Sequence, residues 1–348
     1  MTGIAAQGIA VGFDARTGLL DGFTVEDHGR AVAPLHRAPW VGTDEVMPPD
    51  AAPLMATLGG DFFCAPFGGS EAGSPLHGWP ANTPWHVIGE GDGRLQAVLA
   101  RTVHGATLVK ELSVEPGHPF VYQRHVFIGG EGRVPFANHA NVSVPDGALI
   151  RTSRKAIWQT PPNPQESDPA MGRSALVYPA TSADPARFPS LTGTTDLTRY
   201  PWNPRHEDFV VGIEARGNPL GWTAVTRLGK GDLYLSLRHP DRVPMTMLWH
   251  SNGGRDYAPW SGRHLGCLGV EEGGAFNMLG LVPERDLTGP AAVELDRDAV
   301  VEVRHVIGAV AWPSEEPVAD VALMGGTVEI TGEGGTVRHA PFRAGFLD

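Results

Sequence analysis

This sequence predicts an all-β protein, a large antiparallel β-sandwich with few short helices. Three observations carry that expectation. Apolar and polar residues alternate in short runs, and each run is closed by Gly, Pro, Asn or Asp. Glycine (45) and proline (31) are spread along all 348 residues rather than gathered in a tail, as many turns between short strands require. Hardly any window offers the i, i+3, i+4, i+7 apolar spacing of a sustained helix. No linker or internal repeat interrupts the pattern, so residues 1–348 read as one domain.

Taken in order, LQAVLARTV (95–103) and ATLVKELSV (106–114) flank His104-Gly105 and read as a hairpin. PFVYQRHVFI (119–128) follows a Pro-Gly turn. WTAVTRL (222–228), DLYLSLRH (232–239) and PMTMLWH (244–250) are joined by short Gly or Pro turns. AVVEVRHVIGAV (299–310) and TVEITG (327–332) complete the series. One segment breaks the rhythm. PPNPQESDPAMGRSALVYPATSADPARFPS (161–190) has little periodicity, and a connection of that length reads as a mobile lid or insertion beside a site.

The totals exclude several classes. Lys and Arg number 27 against 39 Asp and Glu, a net charge of −12 with no basic run, so nucleic acid is not an expected partner. No apolar stretch approaches the roughly 20 residues of a membrane span, and the N-terminal stretch lacks the cationic start of a secretory leader. A cytoplasmic protein without membrane contact is expected. Cys64 and Cys267 cannot form a disulfide framework and should be buried thiols.

Polar chemistry gathers in three places. The first, residues 58–87, brings Asp61, Cys64, His77, Asn82 and His86 together with Phe62, Phe63, Phe67, Trp79 and Trp85. Rings beside carboxylate and imidazole suit a sugar, whose C–H faces stack while its hydroxyls seek hydrogen bonds. The same composition also fits a loop whose aromatic residues cap the core. The second, VPFANHANVSVPDG (134–147), sets His139 between Asn138 and Asn141. Imidazole is the side chain best suited to proton exchange near neutral pH, though a histidine at a strand end also serves structure alone. The third, GRHLGCLGVEEGGAFN (262–277), ends an apolar strand in Glu271-Glu272. Alternation puts the two carboxylates on opposite faces, one toward solvent and one inward. An inward carboxylate without partners has the raised pKa of a general base, while a solvated acidic pair is the plainer alternative.

In this order the three blocks resemble the galactose mutarotase-like (aldose 1-epimerase) superfamily. Gly59-Gly60, the phenylalanine-rich Phe62 to Gly68, His77-Gly78 and Trp85 match its first signature. Asn138-His139 matches its second, and Glu271 in LGVEE its third. DARTGLLDGFTV (14–25) is similar to the family's opening hairpin, and residues 222–250 to the strands that precede its glutamate. The resemblance implies a β-supersandwich of galactose mutarotase type with a sugar cleft. It implies a cofactor-independent sugar epimerase in which Glu271 takes the anomeric proton and His139 protonates the ring oxygen. His77, Asp61, Asn138, Asp208 and Trp85 would form the substrate-binding set. The partner would be a monosaccharide or sugar derivative, with no metal and no cofactor, and a homodimer is compatible with it. The chain departs from the pattern at Asp61, where the family carries Arg nearby. It departs again at Ala140 and Asn141 after the second histidine, and at Glu272, where Pro is common. A carbohydrate-binding protein without turnover is the competing reading. A metal-dependent β-fold enzyme drawing on the 14 histidines comes third, because no H-x-H or H-x-x-x-H pair with a nearby Glu stands in the three blocks.

Overall fold

The computed structural model describes residues 2–69 and 71–348. Its two main sheets have eleven and nine strands, and every strand pairing within them is antiparallel. Helical structure among the described residues is confined to five 3-10 turns, the longest Pro53–Thr57. The expected hairpin is present as Arg94–Leu99 against Thr107–Ser113, with Arg94 opposite Ser113. The later runs form Phe120–Ile128, Gly221–Arg227, Asp232–Arg238, Met245–Asn252, Val300–Ala311 and Thr327–Gly332.

Alternation sorts these strands into layers. Along Asp232–Arg238, Leu233, Leu235 and Leu237 face outward to a small three-stranded sheet, where Val321, Val328, Ile330 and Phe342 cover them. Tyr234, Ser236 and Arg238 therefore face inward, between the two main sheets. The inter-sheet core holds Phe13, Phe23, Phe63, Phe127, Phe136, Val270 and Ile307. A third apolar cluster lies on the far face of the eleven-stranded sheet, built from Trp40, Leu54, Phe62, Phe67, Phe209, Met247, Trp249 and Trp260. At about 1.5–3 kcal/mol per fully buried large apolar side chain, each cluster is a core in its own right.

The middle of the larger sheet sets the site. Asp61–Cys64, Phe136–Ser143, Cys267–Gly274, Met245–Asn252 and His206–Glu214 lie side by side in that order. All five are buried on both faces, because the second sheet covers one side and loops from residues 40–60, 65–69, 71–80 and 253–280 cover the other. No helix among the described residues is long and apolar enough to cross a membrane.

Candidate active site

Strand register brings the central pair together. Antiparallel pairing of Phe136–Ser143 with Cys267–Gly274 sets His139 directly opposite Glu271. Alternation sends both side chains to the loop-covered face, alongside Ala137 and Cys267. His139 Nε2 lies 3.1 Å from Glu271 Oε1. Gly269, two residues earlier on the same face, makes room for the carboxylate. A Cβ there would lie 2.9 Å from Glu271 Oε1 and 2.9 Å from the Trp249 Cβ. Phe62, opposite His139 on the other side, stacks on the imidazole with ring centres 4.4 Å apart.

His77 arrives from a loop rather than a strand. Its φ is +65°, a conformation rare for a side chain of its size, and Gly78 follows at +74°. The glycine is dictated by a close approach, since a Cβ at Gly78 would lie 2.3 Å from the Ala65 carbonyl oxygen. The His77 amide donates to the Gly68 carbonyl at 3.0 Å, which fixes the turn. Together these hold the imidazole edge-on to His139 at 5.2 Å and against Phe62 and Phe67.

The three residues line one open cleft. Its walls are Leu54, Met55, Phe67, Phe209, Trp249, Trp260 and Met278, with Gln165 and Arg255 at the polar side. Arg255 lies over Trp260, its guanidinium carbon 4.5 Å from the ring centre, and 3.6 Å from the Glu207 carboxylate. Glu207 in turn accepts from Trp249 Nε1 and Ser251 Oγ.

Electrostatically the pair is set by burial. Desolvation pushes the Glu271 carboxyl well above its ordinary value, and desolvation, helped by the neighbouring His77, pulls His139 well below. His77 is lowered to about 4 by burial and then by Arg255. Both trends favour neutral side chains, and the 3.1 Å contact lets one proton serve two sites. Among the described residues Glu271 Oε2, His139 Nδ1 and His77 Nδ1 are buried without hydrogen-bond partners. The set is under-bonded at the floor of the cleft that these three residues line.

Four expected binding residues lie elsewhere. Asp61 alternates with Phe62, so its carboxylate faces the second sheet, accepts from Gln123 Nε2, and is raised to about 6 by burial. Asn138 alternates with His139 and is turned the same way. Asp208 also faces inward, accepting from the Ala175 and Leu176 amides and from Tyr178 Oη. Its neighbour Glu207 is the acid on the cleft side. Trp85 is core, its Nε1 donating to the Pro80 carbonyl at 2.9 Å. Glu272 corrects a further expectation. It is on the opposite face from Glu271, but that face is the sandwich interior and not solvent, with Thr223, Thr246 and Arg238 around the carboxylate. Residues 161–190 do reach the cleft through Gln165, and they carry short strands of their own at Thr181–Ser182 and Phe188–Ser190. Cys64 and Cys267 are buried free thiols, as expected.

Sequence reasoning missed Trp249, Trp260, Phe209, Met278 and Glu207. The only available signal was register, since Trp249 pairs with Gly269 and so shares its face with Glu271.

No protein-family model and no curated protein matches the sequence. Solved structures do match in shape. A galactose mutarotase-like protein of Lactobacillus casei aligns over 89% of this chain and 99% of its own, with TM-score 0.55 and 10% identity. A galactose mutarotase related enzyme of Lactobacillus acidophilus covers 90% and 98%, with TM-score 0.53 and 9% identity. An Escherichia coli K12 protein provisionally named an aldose 1-epimerase covers 88% and 97%, at 0.56 and 12%. Identities this low carry the fold alone, and the chain has the galactose mutarotase-like fold.

Proposed function

We propose that this protein is a cofactor-independent sugar epimerase of the aldose 1-epimerase kind, interconverting anomers by opening and reclosing the ring. The observation that carries the reading is the His139–Glu271 contact at 3.1 Å on the floor of an aromatic-walled cleft. A binding protein has no use for a coupled acid and base there.

The proton inventory fits the reaction. At rest, burial favours one proton on Glu271 beside a neutral His139. Transfer of that proton across the contact gives carboxylate and imidazolium without any exchange with solvent. The Glu271 carboxylate then takes the proton of the anomeric hydroxyl while His139 gives its own to the ring oxygen. The bond between the anomeric carbon and the ring oxygen breaks, and the pair returns to its resting protonation. Rotation of the open-chain aldehyde followed by the reverse steps yields the other anomer. His77, neutral across the working range, would hold a hydroxyl and align the ring. Trp249 and Trp260 would stack on the sugar's C–H faces. Arg255, whose Nε lacks a partner among the described residues, would donate to a further hydroxyl or to the carboxylate of a sugar acid.

The test is exchange spectroscopy on purified protein with a panel of neutral aldoses and uronic acids. Saturation transfer between anomers above the uncatalysed rate, for at least one sugar, is the expected result. Ligand-induced shifts without accelerated exchange on any sugar would instead identify a carbohydrate-binding protein.

A further inference from the structure

A second group of ligating atoms lies behind the indole wall of the cleft. His36, His264 and Cys267 each bring a donor atom within 4.8 Å of the other two. His36 follows the bridge between Leu35 and Val142, and His264 and Cys267 flank Gly266 at the start of the Glu271 strand. His264 and Cys267 are buried, and His36 is half-buried.

Missing partners mark the place. Nε2 of His36 and Nε2 of His264 are both buried with no hydrogen bond among the described residues. The two rings meet edge-on with centres 4.9 Å apart, and each orphaned atom carries the desolvation penalty of a buried polar group without a partner. The His264 tautomer is also set for coordination. Ser251 Oγ donates its one proton to Glu207 Oε2 at 3.0 Å, so at 2.8 Å it can only accept from His264 Nδ1. That leaves the lone pair of His264 on Nε2, oriented by an outer hydrogen bond as ligating imidazoles are. The Cys267 thiol, 3.8 Å from Asn141 Oδ1, has only a weak interaction to give up.

We propose that His36, His264 and Cys267 form a Zn²⁺ site, with a water as fourth ligand. Two imidazoles and a thiolate are a donor set that zinc favours. Zinc bonds of about 2.0–2.3 Å put tetrahedral donors roughly 3.3–3.7 Å apart, so the cluster must contract by about 1 Å on binding. Rotation of the half-buried His36 side chain supplies that movement. The Cys267 S–H bond breaks, a Zn–S bond forms, and the proton leaves to solvent with no change of oxidation state. The ion would brace the cleft wall. The His264 ring stacks on Trp249 at 5.6 Å and meets Trp260 edge-on at 5.1 Å. It would also tie the 33–38 segment to the strand that carries Glu271 four residues beyond Cys267. His36 and Cys267 stand too far apart in sequence to form a ligand motif, so only the fold reveals the set. This site is independent of the epimerase reading.

The test uses the full chain, stripped with a chelator and titrated with Co²⁺ and then Zn²⁺. One equivalent of Co²⁺ should bring a thiolate-to-cobalt charge-transfer band and the intense visible bands of a four-coordinate ion, and Zn²⁺ should abolish both. Zn²⁺ at a hundredfold excess over its Kd should raise the melting temperature by about 5 °C. Cys267→Ser should lose the charge-transfer band. His36→Gln, at a half-buried position, should stay folded by circular dichroism and weaken Zn²⁺ binding at least about tenfold. A folded wild-type protein that shows no Co²⁺ band at stoichiometric metal would overturn the site. So would a band that survives in Cys267→Ser, or unchanged Zn²⁺ affinity in folded His36→Gln.

Discussion

Glu271 and Glu272 are consecutive residues of one strand, equally buried, and they live in opposite worlds. On the inter-sheet face, Glu272 has Thr223 Oγ1, Thr246 Oγ1 and the Arg238 guanidinium, the last at 2.8 Å. Arg238 also pairs with Glu214, and Glu214 with Lys155, so two buried cations meet two buried anions. The carboxylates there are bonded to saturation. On the cleft face, Glu271 has His139 as its ion-pair partner among the described residues, the Cys64 and Cys267 thiols nearby, and an oxygen left over. The contrast teaches how to tell structure from chemistry when both are buried. A carboxylate whose oxygens are all bonded has nothing to offer a substrate, whereas an under-bonded acid beside an under-bonded base has a proton to trade.

The sharpest break of this contrast is Glu272→Gln. It leaves the buried network one positive charge in excess, and removing one partner of a buried ion pair typically costs about 3–5 kcal/mol. Chemical denaturation should register that loss, while the fraction still folded keeps its turnover to within about threefold. A Glu272→Gln protein as stable as wild type would mean that the network is not what it looks like.

Acid comes next in size. Burial depresses His36, His77, His125, His139, His250, His264 and His305 below the ordinary 6.5. Above pH 6.5 the native and unfolded chains both hold these imidazoles neutral. As pH falls below 6.5 the unfolded chain takes up protons that the native one refuses, so stability drops. Asp61, Glu207 and Glu271, raised by burial, act in the opposite sense but are fewer. The melting temperature should fall by about 10 °C from pH 7.5 to pH 5.5. A profile flat across that interval would show that the imidazoles titrate normally.

Two smaller changes probe the cleft side alone. His77→Ala should lower kcat/KM by about ten- to a hundredfold, through a lost alignment rather than a lost proton, and its pH profile should keep the wild-type shape. A shifted profile would make His77 the acid in place of His139. Trp260→Leu should weaken sugar binding by about three- to tenfold with kcat little changed, the worth of one stacking face. No change in affinity would take the sugar off that wall.

Much of this was legible before folding. Alternation closed by turn residues is a property of the strand itself, so the all-β architecture and most strands could be read directly. His77, His139 and Glu271 stood out because each interrupts its surroundings, an imidazole among rings or a carboxylate after LGV. Asp61, Asn138 and Asp208 went astray for one reason. DFFC, FANHANVS and HEDFVVGIE are buried on both faces, so polarity gives no clue to which side a given residue faces. A one-residue ambiguity therefore exchanged Glu207 for Asp208. Trp85 and Trp249 carry the same side chain, and only the pairing of Trp249 with Gly269 places it at the cleft. The His36, His264 and Cys267 cluster needed two distant segments to meet, residue 36 and residues 264–267, which no local pattern encodes.

The most direct measurement compares Glu271→Gln with wild type in anomer exchange by saturation-transfer NMR, alongside melting curves of both. The substitution keeps shape and removes the basic oxygen. Exchange should fall by about 10²–10⁴, with sugar affinity nearly unchanged and a melting temperature close to that of wild type, because a neutral amide of the same shape replaces a carboxyl that burial already favours in its neutral form. Glu271→Gln that stays folded and exchanges anomers at the wild-type rate would contradict the account, and the proton traffic would have to be sought elsewhere in the cleft.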